Sequence, residues 1–136
     1  MLFRSTLVTV VGDHAIVRVQ GSIRLSAFRE PQPDLVLLRP QADFYASRLP
    51  GAEDILLIIE IAESSIEYDR DVKARMYADS GVVEYWVADI TGREVVCHTL
   101  PRAGAYAQIR RMSPGESIAP TLLPACAIQA ETLLGS

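Results

Sequence analysis

Lysine is almost absent from this chain. Lys73 is the only one, and the other twelve of its 13 fixed side-chain cations are arginines. Cations are also the minority, because 17 Asp and Glu leave a formal charge of −4. That balance argues against affinity drawn from a broad basic face, since neutralising phosphates takes clustered Lys and Arg. It does not exclude a protein whose acids hold a metal while its arginines gather locally. There are two cysteines, Cys97 and Cys126, with no CxxC spacing, and they read as buried small hydrophobes in a reducing cytoplasm. The two histidines, His14 and His98, are isolated and make no zinc or triad case. No apolar run reaches the roughly 18 residues needed to span a bilayer, which argues against a membrane partner. The apolar N-terminus lacks a small-residue cleavage site and reads as an amphipathic helix or strand, not a signal peptide. No repeat, low-complexity tract or linker divides the sequence, and 49% hydrophobic with 22% charged residues suits one folded domain over 1–136.

Hydrophobic patterning places the elements. Residues 15–25 alternate and are rich in β-branched side chains, predicting one strand or a bent pair broken at Gly21. Residues 29–33 carry two prolines and form an extended lead into a short apolar strand, Asp34 to Leu38. A Pro-, Gly- and Asp-rich loop follows, then a second buried strand, Ile55 to Ile61. Ser64-Ser65-Ile66-Glu67 fits a capping box for a helix running to about Ser80, with Gly81 closing it. Tyr68, Val72 and Met76 are its expected apolar stripe; Asp69, Lys73 and Tyr77 form a row on the adjacent face. Strands over 82–89, 94–100 and 106–112 are joined by turns, and a short helix near 129–134 ends the chain. The order predicts an α/β or α+β protein with one sheet, largely antiparallel at its edges, and helices packed on it.

The arginines allow two local groupings. Arg18, Arg24 and Arg29 could line one side, and Arg70, Lys73 and Arg75 crowd one helix. Arg110 and Arg111 are adjacent on a strand and point to opposite faces. The lysine stands out because an ammonium is a compact point charge that can orient a water, whereas a guanidinium is a planar fork. Its bland role is a helical pair with Asp69. Its sharper role comes from two acids, Asp34 and Glu60, at the ends of neighbouring strands. Phosphodiester hydrolysis uses a divalent cation, and Mg²⁺ takes a few carboxylate oxygens while keeping waters. Asp34 and Glu60 could supply two such oxygens, the carbonyl of Ile61 a third, and Lys73 could orient the attacking water or stabilise developing charge. By itself the pattern is weak, because Pro-Asp before a strand is also ordinary turn chemistry.

The segments Pro33-Asp34-Leu35-Val36-Leu37, Ile58-Ile59-Glu60-Ile61-Ala62-Glu63-Ser64-Ser65, Tyr68-Asp69-Arg70-Asp71-Val72-Lys73, Met76-Tyr77-Ala78 and Gly81-Val82-Val83-Glu84-Tyr85-Trp86-Val87-Ala88-Asp89 together resemble the Uma2 family (DUF820). The resemblance covers about residues 5 to 134 and is most specific from Glu60 to Asp89. It implies a restriction-endonuclease-like fold of the PD-(D/E)XK superfamily and a Mg²⁺- or Mn²⁺-dependent endonuclease acting on DNA. It places Asp34 and Glu60 as metal ligands. The superfamily lysine two residues after the second acid is replaced here by Ala62, and the resemblance moves that role to Lys73. Asp69 then either orients Lys73 or is a structural helix pair. Tyr77 and Trp86 are expected in the core, with Tyr77 near the cleft; Glu84 is expected to be structural, and Gln20 could face the site. Family members carry further N-terminal residues, so Met1 is expected inside a helix and the sheet edge less covered, which favours a homodimer. Three readings follow: a metal-dependent DNA endonuclease, a catalytically inactive nuclease-fold scaffold that binds a partner or nucleic acid, and an unrelated small-molecule-binding domain.

Overall fold

The computed structural model describes residues 2–63 and 67–135, with side chains over 4–63 and 70–135. Its centre is a six-stranded sheet in the order β1 (Ile16–Val19), β2 (Leu35–Leu38), β3 (Ile55–Ala62), β4 (Glu84–Asp89), β5 (Glu94–Arg102) and β6 (Ala105–Met112). Every neighbouring pair is antiparallel except β3 and β4. A parallel pair needs a long crossover, and helix α2 (Glu67–Asp79) lies within it. Helix α1 (Leu2–Val11) precedes the sheet. A short ribbon of β7 (Ser117–Ile118) with β8 (Ile128–Gln129) and helix α3 (Ala130–Leu134) follow it. This is the mixed α+β architecture expected. No helix among the described residues is long and apolar enough to cross a membrane.

Because side chains alternate along each strand, the sheet has two apolar faces. On one, Leu35, Leu37, Leu57, Ile59, Trp86 and Cys97 pack under Leu7 and Val11 of α1 and Leu133 and Leu134 of α3. On the other, Val36, Ile58, Tyr85, Val87 and Val96 pack under Tyr77 and Ala78 of α2. The central strands are buried on both sides, which is why their sequences are nearly continuous apolar runs.

Three expectations change. The alternating stretch 15–25 yields only β1, because Gln20 takes a left-handed conformation (φ 53°) one residue before Gly21. Helix α2 does not bury the stripe expected of it. Val72 is 43% exposed, Met76 is half-buried, and the helix is anchored through Tyr77 and Ala78. The row holding Lys73 and Tyr77 is therefore the inward one. Strand β5 continues through Pro101 to Arg102 and pairs Pro101 with Tyr106, so the turn narrows to residues 103–104. The expected capping box at 64–67, and the side chains of Tyr68 and Asp69, lie outside the described residues. The helix end is as expected. Gly81 has φ +84°, its N–H bonds to the carbonyl of Ala78 at 3.1 Å, and that of Val82 bonds to Tyr77 at 3.0 Å. These two bonds are a Schellman closure.

Candidate active site

Asp34 immediately precedes β2 and Glu60 lies near the end of β3. The strands are antiparallel with Leu35 opposite Ile59, so the two acids meet at the same end of the sheet. Both have the parity of Val36 and Ile58, which places them on the α2 face. Each is oriented by the other's segment. The Asp34 N–H donates to Glu60 Oε1 at 3.0 Å, and the Ile61 N–H donates to Asp34 Oδ2 at 2.7 Å. From α2, Lys73 Nζ sits 2.9 Å from Glu60 Oε2. Tyr77, one turn further along the same helix face, is buried near Glu60, and burial with the nearby Glu60 charge pushes its phenol pKa far up. It stays a neutral phenol. Asp34, Glu60, Ile61 and Lys73, together with Gln32, Ala62, Arg70, Tyr85 and Val87, line a cleft of about 250 Å³.

The buried polar groups of the described residues are Asp54, Glu60, Glu84 and His98. Three are consumed structurally. Asp54 accepts from the Gly51 N–H and pairs with Arg48 at 2.7 Å. Glu84 accepts from Trp86 Nε1 at 2.6 Å and from the Thr121 N–H at 2.7 Å. His98 Nδ1 bonds to the Tyr85 carbonyl at 2.9 Å, between the rings of Tyr85 and Tyr106. Glu60, 8% exposed, opens onto a cleft that it shares with a second acid, Asp34, and with Lys73 and Arg70. A buried acid with a cationic neighbour in a concave site is the physical signature of a functional group.

The candidate residues are thus brought together with two qualifications. Gln20 is exposed and enters through its backbone, donating to the Asp34 carbonyl and accepting from Gln32 Nε2 at 2.6 Å; Gln32 is the glutamine in the cleft lining. Asp69 cannot be placed, its side chain lying outside the described residues. Arg70 was noted in sequence only as one of several basic residues on a helix, yet it lines the cleft beside Lys73. Its separation from Lys73 by three positions puts both on one helix face, and that spacing was the available signal. The remaining arginines divide. Arg24 and Arg29 pair with Glu30 and Asp79, Arg75 borders a different groove, and Arg110 and Arg111 face opposite sides of β6 as expected.

A divalent cation suits this donor set. Asp34 and Glu60 present hard carboxylate oxygens on one partly buried surface, each steered by a backbone N–H, and the Ile61 backbone is beside them. Among the described residues no group of three or more His, Cys, Asp or Glu gathers, and the cleft itself offers the two carboxylates of Asp34 and Glu60.

Comparison with known proteins agrees with this architecture. The model of the Uma2 family, described as "Putative restriction endonuclease", matches residues 4–131. A solved structure from Anabaena variabilis ATCC 29413, described as "a putative nuclease belonging to DUF820", superposes with a TM-score of 0.71 at 14% identity, covering 96% of this chain and 75% of that one. At that identity the likeness speaks for the fold. No curated protein matches the sequence.

Proposed function

Taking as premise that the chain belongs to the Uma2 family, whose model spans residues 4–131, we propose that it is a Mg²⁺- or Mn²⁺-dependent endonuclease acting on DNA. The observation that carries the reading is the convergence of Asp34 and Glu60 from antiparallel strands into one cleft, with Lys73 2.9 Å from Glu60. Asp34, Glu60 and the Ile61 carbonyl would hold the cation. A bound divalent ion there supplies Lewis-acid polarisation of a phosphoryl oxygen and a more acidic water.

The chain's own residues do the rest. The Ile61 and Asp34 N–H groups fix the two carboxylates before substrate arrives, so little reorganisation is left for the reaction step. Tyr77, buried and neutral, walls the inner side of the site near Glu60. Lys73 Nζ orients a water toward the phosphorus and stabilises charge as it develops on the phosphate. Arg70 offers the same phosphate a planar fork, the geometry suited to two of its oxygens. Burial of Glu60 keeps bulk water from screening these charges.

The reading also takes a second copy of the chain as partner. Strand β6 is a sheet edge, and its Ile109, with Leu100 on the adjoining strand, is more than half or half exposed (55% and 50%). Unpaired edges of this length are ready templates for pairing. Cytoplasmic residence goes with the same reading, and fractionation of expressing cells tests it: recovery with the periplasm would remove it.

A second reading has a specific observation behind it. Ala62 occupies the position two residues after Glu60 where the superfamily keeps its lysine, and an inactive scaffold would retain the fold without the chemistry. Calorimetric titration with Mg²⁺ or Mn²⁺ decides between them. Binding is expected to the native chain and to vanish in the Asp34→Ala/Glu60→Ala double variant, with cleavage of supercoiled plasmid lost in parallel. Absence of binding at millimolar metal, in a chain shown to be folded, would establish the scaffold.

A further inference from the structure

Between β1 and β2 the chain does not make a loose loop. It makes a narrow arm, closed by a ladder of backbone bonds: Gln20 N–H to the Asp34 carbonyl (2.9 Å), Ile23 N–H to Pro31 (3.1 Å) and Leu25 N–H to Arg29 (2.8 Å), with a bridge between Ser26 and Arg29 at the tip. Its root is anchored by Ile23, which is fully buried, and by the Arg24 N–H bonding to the Pro50 carbonyl at 2.8 Å. Its flank is fixed to the end of α2, where Arg29 Nη1 lies 3.0 Å from Asp79 Oδ2 and 3.2 Å from the Ser80 hydroxyl. On the tip stands Phe28, 98% exposed, its N–H held by the Ser26 hydroxyl at 3.2 Å. A phenylalanine this exposed on so well-braced a turn has no packing role in the fold.

The arm begins at the candidate active site. Asp34 closes its base, and Gln32, on its returning side, lines the cleft. From Asp34 to Phe28 is six residues, at most about 20 Å of extended chain, which is roughly six base steps of duplex. Residues 20–34 carry Arg24 and Arg29 against Glu30 and Asp34, and the two arginines sit in exposed pairs with Glu30 (3.7 Å) and Asp79 (3.0 Å). Exposed arginines beside an apolar aromatic tip are the parts of a stacking wedge. The arginines meet phosphates, and the ring enters a base step or stacks on an unpaired base.

We propose that the arm comprising residues 20–34 is a nucleic-acid-binding element, with Phe28 stacking on a base within about six steps of the cleft at Asp34. The inference rests on the nucleic-acid reading of the site but not on metal or catalysis. Its test is therefore run in EDTA, by fluorescence anisotropy of a fluorescein-labelled oligonucleotide duplex and of its single strand. Phe28→Ala is expected to weaken binding about tenfold or more, the scale of losing one stacked base. It is expected to fold normally, since the side chain touches almost nothing. Phe28→Trp is expected to keep native affinity and to show indole fluorescence quenched by the unlabelled strand; the chain's own Trp86 is fully buried and serves as the unquenched background. Native affinity in Phe28→Ala, or an unquenched indole in a complex that still forms, overturns the wedge while leaving the nuclease reading in place. Binding with the expected Phe28 effects but no metal-dependent cleavage supports the wedge and removes the enzyme reading. No binding of either probe by the native chain overturns the wedge, and plasmid cleavage with Mg²⁺ then decides the nuclease reading separately.

Discussion

Replacing Lys73 by alanine and, separately, by arginine tests what the single ammonium does. Its Nζ is 2.9 Å from Glu60 Oε2, with the lysine side chain 38% exposed and that of Glu60 only 10%. Exposed ion pairs contribute about 0.2–1 kcal/mol, whereas stranding a fully buried partner costs about 3–5 kcal/mol. Here the lysine is partly solvated and Glu60 keeps the Asp34 N–H, so Lys73→Ala should cost about 1–2 kcal/mol. At about 4 °C per kcal/mol for a chain of this size, Tm should fall by about 4–8 °C. That leaves the protein folded at assay temperature. Its plasmid-cleavage rate at saturating Mg²⁺ should nonetheless fall about 10²–10⁴-fold, the scale of losing a positioned proton-transfer or charge-stabilising group. Metal affinity should move the other way. Removing a positive charge beside two carboxylates relieves its repulsion of the cation, so calorimetry should show tighter Mg²⁺ binding. Lys73→Arg keeps the charge and the pairing with Glu60, so Tm should stay near native. Activity should still fall at least about 10²-fold, because a planar fork does not place one water as a point charge does. Native activity in Lys73→Arg, or rate and metal affinity falling together in Lys73→Ala, would refute this role for the lysine.

Two further outcomes follow from groups outside the cleft. Burial of His98 lowers its pKa below the usual 6.5, so the unfolded chain binds more protons than the folded one as pH falls below 6.5; the stability present above 6.5 is lost on acidification. Thermal scans from pH 7.5 to 5 should show a Tm decline that His98→Gln flattens, and equal slopes in the two proteins would count against a neutral buried imidazole. At the sheet edge, sedimentation should find the native chain as a dimer and Ile109→Lys as a folded monomer; a native monomer would remove the β6 pairing.

Much of the fold was legible because it depends on local patterning. The double-sided apolar runs of β2 and β3, the helix before Gly81 and the hairpins around residues 91–93 and 103–104 each follow from side-chain period and turn chemistry within a few residues. Where the reading slipped, a tertiary contact outweighed the local pattern. Aliphatic spacing suggested that α2 would bury Val72, but the helix lies across the sheet on Tyr77 and Ala78, because the strands beneath present Tyr85, Val87 and Val96 at that height. Alternation suggested a strand through residue 25, but Gln20 turns out of line and the chain becomes a braced arm, fixed by Arg29 to a helix fifty residues away.

The candidate site divides in the same way. The sequence by itself determined which residue types were worth watching: a lone lysine, an acid before one buried strand, and an acid inside another. Composition and spacing carry chemical identity. Only the tertiary structure decided that the acids share an end and a face, that Glu60 is steered by the Asp34 N–H and Asp34 by the Ile61 N–H, and that Arg70 and Gln32 join them while Gln20 does not. Those facts depend on strand direction, register and helix rotation. These are fixed by summed packing over the whole sheet, and no short stretch of sequence contains them.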